Sequence, residues 1–242
     1  MNYLKTFEAF KSVKKTGKIK RHWRKGRGGV TTVMGNISDK DAEGWTLGSD
    51  AFDPSNLNDL MKKLVKRFNV EKVKYMNAGA FGMAFIADGD KIIKLTSSAD
   101  EAAEVKGLIG KIIPGCVKYY DIVYSKKFDI WAILMQKSES LTKKEEKIFS
   151  FLFGYNVELI DKDRIEDIRK EMSGITITKS ELRSYVEEIV NLKNKLKSND
   201  ISTKDLHVGN MGRLDGELVH FDIMSGYTGS NELNKISKIK LN

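Results

Sequence analysis

The apolar residues of this chain change period along its length, and that change narrows the fold more than any other feature. From residue 70 they alternate. Val73-Lys74-Tyr75-Met76 is followed, past a glycine-containing turn, by Met83 to Ala87. Asp88-Gly89-Asp90 is a hairpin signal, and Lys91 to Thr96 continues the pattern. Ser98-Ala99-Asp100-Glu101 then forms a capping box, and Val105, Leu108 and Ile112 share one face of the helix it opens. Two further strands are expected at about 116–124 and 128–136. Beyond them the spacing turns helical. Thr142-Lys143-Lys144-Glu145 caps one helix, Ile165, Ile168 and Met172 mark a second, and Thr178-Lys179-Ser180-Glu181 opens a longer one carrying Leu182, Val186, Ile189 and Leu196. Three strands, a helix, two strands and then helices do not make the strand–helix alternation of a doubly wound sheet. The order predicts an α+β fold, with a five-stranded antiparallel sheet and one helix followed by a mostly helical part.

Charge divides the chain differently. Its 242 residues carry 42 Lys and Arg against 33 Asp and Glu, a net charge of +9. Between Lys11 and Arg27 stand nine basic residues and no acid, and outside that stretch the charges balance at 33 each. This is a neutral domain carrying a basic arm. Tyr3, Phe7, Phe10 and Val13 form one stripe of a short helix over 1–15, and Gly26-Arg27-Gly28-Gly29 breaks any helix after it. Leu57, Leu60, Met61, Leu64, Val65 and Phe68 place an amphipathic helix over 55–69. The division expected is a partly flexible arm over 1–54 and a compact domain over 55–242, whose two lobes cover about 70–137 and 138–242. With His22 and Trp23, the arm Lys11–Arg27 suits non-specific contact with nucleic-acid phosphates and bases, or it is a solvated tail; nothing in it reads base sequence. The single cysteine, Cys116, excludes a disulfide framework and any zinc site of several thiolates. No apolar run reaches the ~18–20 residues of a membrane-spanning helix, so no membrane partner is expected. The N-terminus lacks the apolar stretch of a secretory signal, and a soluble protein of a reducing compartment is the expectation.

Three stretches carry chemistry. In Asn77-Ala78-Gly79-Ala80-Phe81-Gly82 the glycines let backbone amides approach phosphate oxygens, or they merely turn the hairpin. Lys94 stands between apolar neighbours on an expected strand, where it meets either solvent or an anion. Lys204-Asp205-Leu206-His207-Val208-Gly209-Asn210 is followed by a short strand ending in His220-Phe221-Asp222. Asp205, Asn210 and Asp222 offer hard oxygens on tight turns, suited to Mg²⁺ and to a hydroxyl proton.

In this order the stretches resemble the protein-kinase-like superfamily over about residues 70–226, with the Asp-x-x-x-x-Asn spacing matched and the final acid twelve residues further on. The form Asp-Leu-His-x-x-Asn is similar to the small-molecule branch, aminoglycoside and choline kinases, and to compact phage-encoded kinase-like proteins. The resemblance implies a protein-kinase-like fold with a truncated C-lobe, since only 20 residues follow Asp222. It implies transfer of the γ-phosphate of Mg-ATP to a hydroxyl on a protein or small-molecule acceptor. Asn77, Gly79 and Gly82 would cover the phosphates, and Lys94 would bind them. Glu101, or in its place Glu104, would hold Lys94. Met135, Gln136 and Lys137, with Ser138 after them, look like the hinge whose backbone binds adenine. Asp205 would take the acceptor's proton, while Asn210 and Asp222 would hold Mg²⁺. His207 would donate to the transferred phosphate or brace its own loop, and His220 is read as structural. Residues 138–179, with the N-terminal helices, would wall the acceptor site. Thr203 stands where the family's catalytic loop often has histidine, and Asp222-Ile223-Met224 replaces Asp-Phe-Gly, with Gly226 slightly later. Three alternatives stay open: an inactive nucleotide-binding protein, AMP transfer, and a virion structural protein with a nucleic-acid-binding arm. The opening Met1 to Phe10 resembles leader peptides of phage internal head proteins, which implies a phage protein acting in the host-cell cytoplasm or packaged in a virion.

Overall fold

The computed structural model describes residues 31–33, 54–79, 82–161, 163–172, 174–223 and 236–239. The opening peptide, the helix expected over 1–15 and the basic stretch Lys11–Arg27 lie outside them, as do Ala80, Phe81, Met224 and Gly226. The described strands are β1 (Thr31–Val33), β2 (Lys72–Gly79), β3 (Gly82–Ala87), β4 (Lys91–Thr96), β5 (Tyr119–Ser125), β6 (Ile130–Gln136), β7 (Met211–Leu214), β8 (Glu217–His220) and β9 (Ser237–Ile239). The α-helices are α1 (Pro54–Phe68), α2 (Ala99–Leu108), α3 (Lys143–Leu152), α4 (Arg164–Glu171) and α5 (Lys179–Lys197).

The α+β fold expected for a kinase-like chain is present. Strands β2, β3, β4, β6 and β5 form its antiparallel sheet in that spatial order. The sheet is wider than expected, because β1 adds to β2 and β9 to β5, both in parallel. Strands of three residues carry no period that a sequence pattern could show. The β3–β4 turn has both central residues, Asp88 and Gly89, at positive φ (52° and 93°), as a type I′ hairpin requires. The Asp88 Oδ1 also accepts from the Glu71 and Lys72 amides at 2.9 and 2.8 Å.

Alternation gives the sheet two buried faces. Met83, Phe85, Ile93, Leu95, Ala132 and Leu134 face α1, through Leu60, Met61, Leu64 and Phe68. Ile92, Ile133 and Met135 share the other core with α2 and the helical half. Lys94, two residues from Ile92, projects from that second face. This corrects the expected placement of α1: it covers the face opposite Lys94 and cannot wall a site there. A second correction concerns Ile112. It is 84% exposed, because α2 ends at Leu108 and Gly110 turns the chain at φ +77°, donating its amide to the Tyr119 carbonyl at 3.1 Å.

Two of the three capping boxes read from sequence form in full, and the third only in half, because the Glu101 side chain turns to Lys94 instead of the Ser98 amide. Ser98 accepts from the Glu101 amide, and both Thr142–Glu145 and Thr178–Glu181 are reciprocal capping boxes. The segment between β6 and α5 packs Ile148, Phe149, Leu152, Val157, Ile165 and Ile168 into the core shared with α5. Strands β7 and β8 form a separate hairpin on another pair of positive-φ residues, Asp215 and Gly216 (51° and 82°), which delivers the chain to Asp222. Among the described residues no helix is long and apolar enough to cross a membrane.

Candidate active site

Lys94 is the centre of the site. Its Nζ lies 2.6 Å from Glu101 Oε1 and 2.6 Å from Asp222 Oδ1. The first turn of α2 thus presents Glu101 to the strand lysine although the Glu101 amide is spent on the Ser98 cap, so the capping role and the pairing role coexist. Glu101, not Glu104, makes the contact. Burial would lower the Lys94 pKa, but the charges of Glu101 and Asp222 and hydrogen bonds to both outweigh it and hold the ammonium above its ordinary range. The same burial pushes Glu101 up, and Lys94 opposes that push. Glu101 is 2% exposed, so without the lysine its charge would be stranded.

Asp222 arrives at this point because the chain before it is pinned. The His220 amide donates to the Gly115 carbonyl, the Val117 amide to the His220 carbonyl, and the Phe221 amide to the Asn210 carbonyl. Tyr119, fully buried in β5, donates its hydroxyl to the Phe221 carbonyl at 3.2 Å. Sequence reasoning missed Tyr119. An inward tyrosine in an apolar strand needs a partner for its hydroxyl, and that need was the available signal.

The loop from Ile201 to Asn210 supplies the remaining groups. Asn210, 6% exposed, donates its side-chain amide to the Asp205 carbonyl at 3.1 Å and to Asp205 Oδ2 at 2.9 Å. Its Oδ1 is therefore left as an acceptor. The Asp205 carboxylate stays 40% exposed. His207 Nδ1 accepts from the Gly209 amide at 3.0 Å, which braces the loop and puts the neutral ring's proton on Nε2, 3.9 Å from Asp205 Oδ1.

Two other sites expected from the sequence change in detail. Asn77 and Gly79 lie within β2, paired with Ala84 and Gly82. Gly82 is required by packing: a Cβ there would collide with the Leu95 carbonyl oxygen of β4. At the hinge, the Gln136 amide donates to the Lys118 carbonyl at 2.8 Å and the Lys137 amide to the Asp90 carbonyl at 2.9 Å. The amides of Gln136 and Lys137 are thus spent within the fold and do not face outward as donors. Met135 packs its side chain into the core beside Ile92. Ser138 follows, and Glu139 pairs through both main-chain groups with Arg213.

The Mg²⁺ expectation can be tested against these groups. Among the described residues there is no cluster of three or more His, Cys, Asp or Glu side chains able to cage a metal. Mg²⁺ needs none, since it is commonly held by one or two side-chain oxygens with substrate phosphates and water. Asp222 spends Oδ1 on Lys94 and keeps a second carboxylate oxygen, and Asn210 uses only its Nδ2 toward Asp205, so both side chains still offer an oxygen. The donor set fits.

No family model and no curated protein matches the chain. Solved structures do. The crystal structure of aminoglycoside phosphotransferase APH(4)-Ia matches with a TM-score of 0.39 and 13% identity, over 69% of this chain and 71% of that one. A thermostable mutant of the same enzyme, in ternary complex with AMP-PNP and hygromycin B, gives 0.37 and 12% over 68% and 70%. The streptomycin–ATP ternary complex of APH(2")-IIa gives 0.33 and 11% over 71% of each chain. These enzymes belong to the protein-kinase-like superfamily, and the likeness is structural and low in identity.

Proposed function

We propose that the chain is a phosphotransferase that moves the γ-phosphate of Mg-ATP to a hydroxyl on a protein or small-molecule acceptor. The observation that carries this reading is the Lys94 ammonium held at 2.6 Å by both Glu101 and Asp222. A cation fixed beside a carboxylate that keeps a second oxygen suits an anion and its counter-ion. Lys94 would contact the nucleotide phosphates while Glu101 keeps it in place. Asn210 Oδ1 and Asp222 would hold Mg²⁺, which when bound neutralises charge on the phosphates. The strands β2 and β3 would lie over the phosphates, and Ser138 is the first hinge amide outside the sheet pairings that could meet adenine. Asp205, exposed enough to reach an acceptor and oriented by Asn210, would accept the hydroxyl proton as the oxygen attacks the γ-phosphorus and ADP leaves.

The test uses ATP labelled at the γ-phosphate, with host lysate and with the protein alone as acceptors. Wild type transfers label, and Asp205→Asn transfers about 10²–10⁴-fold more slowly while still binding Mg-ATP in calorimetry. Saturating Mg-ATP at 100 times its dissociation constant adds about 2.7 kcal/mol of stability, readable as a thermal shift that EDTA reduces. Binding without transfer in either protein overturns the enzyme reading in favour of a nucleotide-binding scaffold, and transfer only from α-labelled ATP indicates AMP transfer.

A further inference from the structure

The chain that passes through Asp222 returns to the sheet that carries Lys94. Strand β9 runs parallel to β5, with Ser237 opposite Val123, Lys238 opposite Tyr124 and Ile239 opposite Ser125. Val123 belongs to the core on the α1 side of the sheet. Ser237 is therefore on that side, and Ile236, one residue earlier, is on the other. Burial agrees with this alternation. Ser237 and Lys238 are exposed, whereas Ile236 is 4% exposed and lies in the core that holds Ile122 of β5 and Ala102, Val105 and Leu108 of α2.

Helix α2 needs such support. It has ten residues and packs on β5 and β6, and its apolar anchors in that core are one alanine, one valine and one leucine. A helix this short takes its position from tertiary packing, not from its own propensity. Its first turn also gives the Glu101 carboxylate to Lys94, so the Ser98 cap stays half made.

We propose that Ile236 is a positioning residue: pinned by the pairing of β9 with β5, it closes the core beside α2, holds that helix on the sheet and so keeps Glu101 on Lys94. The segment downstream of Asp222 thereby sets where the second carboxylate of the Lys94 cluster stands. The effect on transfer rests on the phosphotransferase reading; the packing of Ile236 on α2 does not.

Two measurements on the full chain test it. The first is transfer kinetics with labelled ATP. Ile236→Ala should lose about tenfold in kcat/KM, as a small displacement of a positioning group produces, and Ile236→Val should recover most of that loss. In a Glu101→Gln background the same Ile236→Ala change should cost less than about twofold, because two residues acting through one contact are not additive. Wild-type transfer in Ile236→Ala, or an undiminished loss in the Glu101→Gln background, overturns the proposal. The second is NMR of methyl-labelled wild type, which needs neither a variant that folds nor catalysis. Cross-relaxation between an Ile236 methyl and a methyl of Ala102, Val105 or Leu108 supports the proposal, and its absence overturns it. A protein that transfers no phosphate yet shows that cross-relaxation overturns the proposed function and leaves the packing on α2 standing.

Discussion

Two partly buried clusters in this molecule have the same formula, one cation and two carboxylates, and opposite degrees of completion. Arg213 on β7 donates through Nε and Nη2 to Glu145 Oε1 at 2.7 and 2.6 Å, through Nη2 to Glu188 at 2.8 Å, and through Nη1 to the Gly216 carbonyl at 2.5 Å. Glu145 in turn takes the Thr142 amide and hydroxyl on its other oxygen, each at 2.7 Å. Every guanidinium nitrogen and both Glu145 oxygens are directed at partners. The Lys94 cluster instead sets a point charge between one oxygen of Glu101 and one of Asp222, with no second pairing like the Thr142 cap. A planar guanidinium with fitted acceptors fixes geometry, whereas an ammonium with three rotatable donors can exchange partners. The completed cluster ties α3, α5 and the β7–β8 hairpin together. The Lys94 cluster is the one proposed to meet a ligand.

The sharpest way to break this comparison is to remove both cations in turn. Lys94→Met should cost transfer about 10²–10³-fold and weaken Mg-ATP binding, and it should also destabilise the fold by about 3–5 kcal/mol, because Glu101 is left buried and unpaired. Adding Glu101→Gln to that variant should restore most of the stability and none of the transfer, which urea melts and the labelled-ATP assay separate. Arg213→Met should lose a similar amount, about 3–5 kcal/mol, but bind Mg-ATP within about threefold where it is folded. Arg213→Lys should not rescue it, since an ammonium cannot copy the fork. An Arg213→Met protein that folds normally and fails to bind nucleotide would sink the distinction.

The same contrast explains what the sequence could and could not show. The strands bearing Lys94 and the helix bearing Glu101 were legible, because alternation and capping are local. The choice between Glu101 and Glu104 was not, because it depends on how α2 sits on the sheet. Spacing singles out Asp205, Asn210 and Asp222 as candidates, but it cannot show that the hinge amides are engaged, since their partners, Lys118 and Asp90, lie far away in sequence. Arg213 escaped notice although it shares a strand face with the buried Met211, and an arginine on an inward face signals a buried acceptor pair. Ile112 misled because the helical spacing ran on past a turn that Gly110 makes at positive φ.

The smallest effect sharpens the comparison through pH. Burial works against the Glu145 charge, but the hydrogen bonds from Thr142 and the pairing with Arg213 outweigh it, so its pKa is lowered from the ordinary carboxylate value. A carboxylate held down in the folded state binds fewer protons there than in the unfolded chain over that interval. Its contribution is therefore complete above the unfolded pKa and disappears as pH falls through the folded one. Urea midpoints measured from about pH 6 to about pH 3 should fall for wild type. In Arg213→Met they should start lower and fall less, because the guanidinium no longer helps to hold the Glu145 pKa down and only the Thr142 bonds remain. Parallel acid limbs in the two proteins would mean that the Thr142 cap alone sets the Glu145 pKa, and that the Arg213 cluster is joined less tightly than its distances imply.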